Sequence, residues 1–308
     1  MAKKVSGRKV GTKPNTLTEL FEKAGPCVFG FISKLSRLPK GSPPLYPEIF
    51  GTGFLVDAGG IAVTNRHVVD AFDRIPKHPQ TGESGLAAIL CLAGEDRKSC
   101  QMLVVDVRKS CVLGEFTSSD RWHGLNVPDL GFVQLGVRDV QFLRLASENF
   151  YLKIGMEIAT IGYPMGTLPL TALGKVNQVT PFLRRGIVSS IFPFPIANPH
   201  GFTIDVMQQG GSSGSPIFRV GDGAVVGMMS SSVPEWNIAK SDQASLLYSQ
   251  NTNISVCEPA GIIKKALDEF RNSVFTSTEN LPTLAELRAK HPLPSIPDDL
   301  TWEAWPAP

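Results

Sequence analysis

The chain has 308 residues, of which 42% are hydrophobic. This composition supplies one large core or two modest ones and excludes a generally disordered chain. Lysine and arginine number 30 against 28 acidic residues, so the formal charge is +2 and gives no electrostatic reason to expect a nucleic acid or a membrane as the main partner. The 29 glycines and 24 prolines indicate many turns, and therefore many short strands.

The N-terminal segment MAKKVSGRKVGTKPN is basic but lacks the apolar stretch of a secretion signal, and no run of 18 apolar residues occurs in the sequence. We therefore expect a cytoplasmic protein with a disordered N-terminal tail. The cysteines are odd in number, form no CxxC pair and have no histidine at zinc-finger spacing, so we expect free thiols and neither a metal nor another cofactor. They are Cys27, Cys91, Cys100, Cys111 and Cys257.

The first predicted element is a short helix. The sequence TLTE at 16–19 has the spacing of a capping box, and the helix is predicted to run through Ala24. A hairpin is predicted next, because GTGFLVD at 51–57 and GIAVTN at 60–65 flank the turn residues AG at 58–59.

Eight further segments have the composition of strands and are bounded by turn residues. They are Ala87–Leu92, Met102–Val107, Leu130–Leu135, Met156–Gly162, Arg185–Ile191, Phe202–Met207, Pro216–Val220 and Ala224–Met229. The last two flank GDG at 221–223, which is another hairpin signal. Strands at this spacing, without amphipathic helices between them, predict antiparallel barrels or sandwiches and not an alternating βαβ fold.

The C-terminal part contains the one convincing helix. After Pro259, apolar residues recur at helical spacing from Ile262 to Phe270, so a helix is predicted to pack one face on the body and to end near Arg271. From Ser277 onward the chain is rich in proline and holds one short helical segment, LAELRAK. We expect an appendage with little core of its own.

The stretch QGGSSGSP at 209–216 places two serines among glycines, which allow a sharp bend that presents backbone amides to a ligand. Taken alone, it is also compatible with an ordinary glycine-rich loop, and it does not distinguish Ser212 from Ser213. A serine hydroxyl is a poor nucleophile at neutral pH without a base. A catalytic interpretation therefore requires a histidine.

His67 stands apart from the other histidines because it follows the second hairpin strand, in TNRHVVDAF. As a single residue it is better explained by a structural role, and only its combination with a serine and a carboxylate favours catalysis. The remaining four histidines have polar or proline-flanked surroundings that are typical of surface residues. They are His78, His123, His200 and His291.

A carboxylate must hold the imidazole in the tautomer that accepts the serine proton. Asp129 suits this task because it lies directly before the apolar run LGFVQL, which is predicted to be a buried strand. Asp70, Asp106 and Asp120 are the competing candidates. Asp70 is only three residues from His67 and is better explained as surface charge on the following turn.

Seven segments occur in a fixed order along the chain: GTGFLVD, TNRHVV, DLGFVQL, GYPMG, RRGIVSSI, TIDVMQQGGSSGSPIF and VVGMMS. In this order, with histidine before aspartate before serine, the sequence resembles the chymotrypsin-fold (trypsin-like) serine proteases and looks most like their HtrA/Deg branch. The resemblance runs from about Gly51 to Leu267. It implies an all-β fold of two antiparallel Greek-key β-barrels followed by a C-terminal helix.

The resemblance implies a serine endopeptidase in which His67 is the general base, Asp129 its orienting carboxylate and Ser213 the nucleophile. The G-x-S-G-G-P pattern of these proteases places Ser213 in the serine position. The backbone N–H groups of Gly211 and Ser213 would then form the oxyanion hole, where each donor typically contributes about 3 kcal/mol of transition-state stabilisation.

The same resemblance places the floor of the primary specificity pocket at Met207, which carries no charge. We therefore expect an uncharged aliphatic residue before the scissile bond. Asp205 is the acidic competitor for this position and is interpreted as a structural carboxylate. The pocket walls are expected at Val226, Gly227, Met228, Met229 and Ser230.

Four regions are expected. Residues 1–24 form a basic extension with a short helix, 25–140 the first barrel, 141–272 the second barrel with the C-terminal helix, and 273–308 a proline-containing tail too short for the PDZ domain that HtrA-like proteins usually carry. The expected partners are a protein or peptide substrate and a regulatory protein bound through either extension. Neither a nucleic acid nor a membrane is expected.

Two other functions fit parts of the sequence. An α/β-hydrolase esterase would use Ser212 in a G-x-S-x-G turn, but it requires a helix after the serine and a histidine further on. The second alternative is a protease-like regulatory or binding module without activity. Ser215 replaces the usual second glycine and Ser212 an aspartate or asparagine, and an altered loop would leave the oxyanion hole unformed at rest.

Overall fold

The computed structural model describes most of the chain between Thr16 and Lys290. The described residues are 16–34, 49–77, 80–94, 100–114, 127–147, 150–166, 180–240, 245–271, 274–275 and 277–290. Some expectations therefore fall outside the described residues. They concern the N-terminal tail at 1–15, the chain beyond Lys290, and His78, Asp120, His123 and His291.

Six antiparallel strands form the first barrel. They are β1 (Val28–Ser33), β2 (Ile49–Leu55), β3 (Ile61–Thr64), β4 (Leu86–Ala93), β5 (Cys100–Val112) and β6 (Gly131–Leu135). The barrel closes in the order β1-β2-β3-β6-β5-β4. β2 and β3 form the predicted hairpin, with Phe54 opposite Val63 and Leu55 opposite Ala62.

The second barrel also has six antiparallel strands. They are β7 (Glu157–Gly162), β8 (Phe182–Phe192), β9 (Gly201–Ile204), β10 (Pro216–Arg219), β11 (Val225–Lys240) and β12 (Ser245–Pro259). This barrel closes in the order β10-β11-β12-β9-β8-β7. β10 and β11 form the second predicted hairpin, with Ile217 opposite Gly227. The two closed barrels confirm the expected all-β fold class.

The described residues contain four α-helices. They are α1 (Leu17–Ala24), α2 (Arg66–Asp70), α3 (Ala260–Arg271) and α4 (Leu284–Lys290), with 3-10 turns at Gly25–Cys27 and Ala71–Arg74. The hydroxyl of Thr16 accepts a hydrogen bond from the backbone N–H of Glu19 at 3.1 Å, which confirms the predicted helix start. Within the described ranges, no helix combines the length and the apolar character that crossing a membrane requires.

The barrels share one apolar interface. α3 places Ile263, Ala266 and Leu267 in the core of the first barrel, and the ring of Phe270 lies 5.4 Å from that of Phe132. Side chains of the second barrel join the same core. They are Ala159, Ile161, Tyr163, Phe218, Val225 and Met228. Because packed interiors transmit displacement, this shared core fixes one barrel against the other.

β11 and β12 extend beyond the second barrel as a two-stranded ribbon, formed by Pro234–Lys240 and Ser245–Asn251. In the described part of the chain, these residues pair only with each other. Large apolar side chains on the ribbon are exposed, with Trp236 and Leu246 each 64% accessible and Ile238 61% accessible. The sequence patterns missed β1, β12 and the outer half of β11. On the ribbon the reason is that strands without a buried face show no hydrophobic alternation.

The described part of the C-terminal appendage is hydrogen-bonded to the first barrel. The backbone N–H of Arg138 donates to Pro282 O at 3.0 Å, and its guanidinium Nε donates to Leu281 O at 2.7 Å. Gln101 Nε2 donates to Arg288 O at 3.2 Å. α4 itself has no fully buried residue, but the apolar side chains of Phe275, Leu284 and Leu287 are partly buried and pack against the same core, so the appendage is attached through both polar and apolar contacts.

A matched pair of leucine truncations tests the core. Leu90 in β4 is 0% exposed, so Leu90→Ala removes packed atoms and leaves a cavity, and we expect a loss of about 2–5 kcal/mol of unfolding free energy. Leu246→Ala on the exposed ribbon should change it by less than about 0.5 kcal/mol. Urea unfolding followed by far-UV circular dichroism measures both, and equal losses in the two variants would contradict the packing described above.

Candidate active site

Strand pairing brings His67 and Asp129 together. β3 pairs antiparallel with β6, with Thr64 opposite Gly131. His67 lies just after the end of β3 and Asp129 just before the start of β6, so both lie at the same end of the barrel. Asn65, the residue before α2, joins the two segments because its side-chain Nδ2 donates to Asp129 O at 2.9 Å.

The carboxylate of Asp129 is surrounded by donors. Its Oδ2 contacts His67 Nδ1 at 2.8 Å and accepts from Ser230 Oγ at 2.7 Å, and its Oδ1 accepts from the His67 backbone N–H at 3.1 Å. Burial raises the pKa of Asp129, but the bonds from His67 and Ser230 outweigh it and leave that pKa below its ordinary value. An ionised partner requires Nδ1–H as donor, which leaves Nε2 of His67 as the acceptor.

A second carboxyl group lies behind Asp129. Oε1 of Glu258 in β12 accepts a hydrogen bond from the backbone N–H of Asp129 at 3.0 Å, and Glu258 is 7% exposed. Burial, together with the smaller effect of the neighbouring Asp129 charge, raises the pKa of Glu258 to about 7 against the lowering effect of that backbone bond. Glu258 is therefore substantially protonated near neutral pH, which limits repulsion between the two groups.

Ser213 lies in the loop between β9 and β10, and Thr52 of the first barrel clamps this loop. The backbone N–H of Thr52 donates to Ser213 O at 2.8 Å, and its hydroxyl donates to Gly211 O at 2.6 Å. Gly214 has a φ of +88°, and a Cβ there would lie 2.0 Å from Thr52 O. Only glycine fits this close approach, so the clamp and the glycine depend on each other.

Two amides of this loop have no acceptor among the residues that the structure describes. Gly210 O accepts a backbone bond at 2.6 Å from the segment after β7, so the N–H of Gly211, on the other side of that trans peptide, points away from it. Ser212 O accepts from the N–H and the hydroxyl of Ser215, which turns the Ser213 N–H away in the same manner. Among the described residues, nothing accepts from either N–H, so both are available to an oxyanion.

The Ser213 hydroxyl is paired with an amide side chain. Gln208 Nε2 donates to Ser213 Oγ at 3.0 Å and to Ser230 O at 2.8 Å. Oε1 of Gln208 is buried and has no partner in the described part of the chain, which typically costs on the order of 1–3 kcal/mol. Between the described side chains of His67 and Ser213 no hydrogen bond forms. The resting serine is thus paired with Gln208 instead of the imidazole.

Met207, the expected pocket floor, is half-buried. Its carbonyl oxygen accepts a hydrogen bond from Arg184 Nη1, and Arg184 Nη2 donates to Ser212 Oγ at 3.3 Å. Burial lowers the pKa of the Arg184 guanidinium below its ordinary value. This arginine therefore ties the Met207 backbone to the residue next to Ser213.

The expected wall residues are buried. Val226, Met228 and Met229 are 2%, 0% and 0% exposed, and their side chains belong to the barrel cores. A Cβ on Gly227 would lie 2.5 Å from Glu258 O, so that position is closely packed. Ser230 is also buried, at 2% exposed, but it belongs to the site, because its carbonyl accepts from Gln208 and its hydroxyl donates to the Asp129 carboxylate.

The competing aspartates have other partners. Asp70 lies 3.7 Å from Arg66 Nε, and Asp106 accepts from Lys34 Nζ at 2.7 Å. Asp205 accepts a backbone hydrogen bond from β8. Among the described residues, none of these three carboxylates contacts His67.

Sequence reasoning missed three groups of the site: Thr52, Gln208 and Glu258. Thr52 lies inside the GTGFLVD segment and Gln208 directly follows Met207, so both lie in or beside segments that the motif pattern singled out. Their partners are remote, however, since Thr52 and Gly211 are 159 positions apart and Asp129 and Glu258 129. A local sequence pattern does not reveal a hydrogen bond between residues so far apart in the chain.

The family of the chain follows from its sequence match. Residues 51–228 match the trypsin-like peptidase domain family, which is more than half of the 308 residues. The chain therefore belongs to this family, and the two barrels agree with the chymotrypsin type of fold. No curated protein sequence matches the chain.

Solved structures of an HtrA-type protease, AlgW, are similar to the chain. AlgW with a tripeptide has a TM-score of 0.47 and 14% identity, and the match covers 82% of this chain and 62% of that one. AlgW with a decapeptide has a TM-score of 0.48 and 13% identity, and the match covers 82% of this chain and 67% of that one. The chain thus spans less than two thirds of the tripeptide-bound protein.

Glu258 predicts a pH dependence of stability. Its folded pKa, about 7, lies above its ordinary value of 4.5, so its contribution is fully present below about pH 4.5 and is lost as pH rises through about 7. The shift corresponds to about 3 kcal/mol. Glu258→Gln keeps the acceptor for the Asp129 backbone N–H, and it should remove this part of the decline in stability with rising pH.

Urea unfolding at pH 5, 6, 7 and 8 measures the effect, with Glu235→Gln on the exposed ribbon as the matched control. We expect wild type and the Glu235 variant to lose stability in parallel over this range, while Glu258→Gln loses less. Three parallel profiles would show that Glu258 does not titrate as described.

Proposed function

We propose that the protein is a serine endopeptidase with His67, Asp129 and Ser213 as its catalytic triad, acting on a protein or peptide substrate. The observation that carries the proposal is the pairing of His67 Nδ1 with Asp129 Oδ2 at 2.8 Å. Ser230 connects this pair to the serine loop through two separate groups: its hydroxyl donates to Asp129, and its carbonyl accepts from Gln208, which also donates to Ser213 Oγ. Membership of the trypsin-like peptidase family supports the same reaction class.

In the proposed reaction, Ser213 Oγ forms a bond to the carbonyl carbon of the scissile peptide, and its proton passes to His67 Nε2. The imidazolium then gives this proton to the departing amine as the C–N bond breaks. Asp129 stabilises the imidazolium and holds its orientation. Water, activated by His67, then hydrolyses the acyl-enzyme and restores the serine.

The oxyanion of the tetrahedral intermediate is proposed to bind the N–H groups of Gly211 and Ser213. Support comes from their lack of acceptors among the described residues and from the φ of +84° at Gly211, where a Cβ would lie 2.3 Å from Tyr163 O. Glycine is therefore required for the loop conformation that exposes both donors.

The residue before the scissile bond is proposed to be uncharged. Met207 supplies no charge at the expected floor, and the carboxylate of Asp205 is bonded to the backbone of β8. An aliphatic preference stays a prediction from the sequence. The same holds for a regulatory partner bound through the N- or C-terminal extension.

One observation favours a second candidate, a protease-like module that is inactive at rest. Ser213 Oγ is paired with Gln208, and the described residues include no bond from it to His67. The α/β-hydrolase alternative has no such support. Ser212 is 0% exposed, and strand β10 follows it where that fold requires a helix.

Labelling with a fluorophosphonate probe separates these candidates. We expect wild type to be labelled at Ser213, Ser213→Ala to lose labelling, and peptide turnover of that variant to fall about a million-fold. Ser212→Ala is the matched control and should still be labelled, because its hydroxyl is buried against Arg184. An unlabelled wild type would favour the inactive module, and a turnover loss below about tenfold in Ser213→Ala would exclude Ser213 as the nucleophile.

Asp129→Asn tests the orienting carboxylate. An amide at this position favours the wrong imidazole tautomer, so kcat should fall by about 10⁴-fold. Asp70→Asn, which alters an exposed carboxylate near Arg66, is the control and should stay within about twofold of wild type. Steady-state hydrolysis of a fluorogenic peptide measures both, and equal rates for the two variants would refute the role of Asp129.

A further inference from the structure

Arg184 is a half-buried arginine that reaches from β8 to the loop between β9 and β10. Its Nη1 donates to Met207 O and its Nη2 donates to Ser212 Oγ at 3.3 Å, so one guanidinium bridges two points of this loop. The neighbouring Arg185 is exposed and pairs with Glu157 at 2.5 Å. Of these two adjacent arginines, one therefore forms a bridge inside the site and the other an ion pair on the surface.

Among the described residues, the charge of Arg184 has no carboxylate partner, and both atoms that accept from its guanidinium are neutral oxygens. Burial lowers the pKa of this guanidinium below its ordinary value, although arginine keeps its charge throughout the neutral range. A cation that is partly removed from water without an opposing charge is costly. Such a charge is useful where a negative charge develops only during a reaction.

Ser212 connects Arg184 to the oxyanion hole. The backbone N–H of Ser212 donates to Gln209 O at 3.0 Å, and its backbone O accepts from the Ser215 N–H at 3.0 Å and from the Ser215 hydroxyl at 2.6 Å. With the bond from Arg184, the backbone and the hydroxyl of this fully buried residue are both held. Because the Ser213 N–H belongs to the same peptide group as Ser212 O, holding Ser212 sets the direction of one oxyanion donor.

The guanidinium is also near enough to act through its charge. Ser212 Oγ and Ser213 N are separated by four covalent bonds, so they lie within about 5 Å of each other, and an oxyanion would lie about 3 Å beyond that N–H. Nη2 of Arg184 is therefore within about 11 Å of the oxyanion. At this distance and an effective dielectric constant of about 20, a unit charge changes a rate by about tenfold.

We propose that Arg184 is a positioning residue for the oxyanion hole. Its guanidinium holds Met207 O and Ser212 Oγ in place, and the loop is thereby kept in the conformation in which the N–H groups of Gly211 and Ser213 face the substrate. Its charge also stabilises the oxyanion that forms there. The inference rests on the proposed peptidase function and adds a residue outside the proposed triad.

The bridge accounts for a departure from the pattern of this protease family. Ser212 occupies a position where that pattern often has an aspartate or asparagine, and its short hydroxyl is held because the Arg184 side chain reaches it. Since the cation belongs to the chain itself, folding sets the conformation of the hole. A bound partner is not required for this step.

A matched pair of substitutions on β8 tests the role of Arg184. Arg184→Met keeps a long unbranched side chain but removes the charge and both donors, and Arg185→Met makes the same change at the exposed neighbour. We expect kcat of Arg184→Met for a fluorogenic peptide to fall by about 10²-fold or more, with KM within about threefold of wild type. Arg185→Met should keep both parameters within about twofold. Arg184→Lys retains the charge but not the two-pronged bridge, so its kcat should lie between those of Arg184→Met and wild type.

Two ligands separate positioning of the hole from a general loss of binding. The peptide aldehyde N-acetyl-leucyl-leucyl-norleucinal adds to the serine and places the resulting oxygen in the hole, whereas the corresponding alcohol binds without this bond. Isothermal titration calorimetry measures both affinities, including those of variants with little activity. Arg184→Met should bind the aldehyde at least about tenfold more weakly than wild type and the alcohol within about twofold of it.

Urea unfolding shows whether each variant is folded, and kcat is expressed per folded molecule. If Arg184→Met does not fold, Arg184→Gln replaces it, and failure of both to fold would assign this arginine to stability and overturn the inference. A folded variant with kcat within about threefold of wild type overturns it as well, as do equal losses of affinity for the aldehyde and the alcohol. A wild type that is neither labelled by the fluorophosphonate probe nor active overturns the proposed function and this inference together.

Discussion

The hydrogen bonds of Thr52 are the constraint on which the site depends. This fully buried residue of β2 donates to Ser213 O and Gly211 O at 2.8 and 2.6 Å, accepts from Tyr163 N at 3.2 Å, and its own carbonyl accepts from Thr64 Oγ1 at 2.7 Å. Thr64 ends the strand that leads to the imidazole. One threonine therefore joins the serine loop of the second barrel to the histidine side of the first, and the shared apolar core keeps the two barrels from shifting.

The electrostatics of the site follow from this close approach. Asp129 is 11% exposed at its side chain and stays charged because donors surround it, whereas Glu258, buried beside it, has a pKa raised to about 7. Because the pKa values of these two adjacent carboxyl groups are shifted in opposite directions, the pair keeps one negative charge behind His67. Oε1 of Gln208, which has no partner among the described residues, is the complementary case, a buried polar atom kept in a costly state beside the serine loop.

Local signals in the sequence were sufficient for most elements. The capping box before Leu17, the two hairpins and the helix ending at Arg271 are all present as predicted, because each depends on residues a few positions apart. β1, β12 and the outer half of β11 were missed, and on the ribbon the reason is that no buried face imposes an alternating pattern. The order of the motifs along the chain predicted two β-barrels, whereas the strand patterns alone were also compatible with a β-sandwich.

The sequence by itself determined ten of the twelve barrel strands, the family resemblance and the identity of His67, Asp129 and Ser213 as candidates, because these depend on local composition and on motif order. The tertiary structure alone decided their partners: Ser230 on the Asp129 carboxylate, Thr52 on the serine loop and Gln208 on the serine hydroxyl. Such bonds join residues that the fold brings together from distant strands. Their geometry depends on how two barrels pack, which no stretch of sequence encodes on its own.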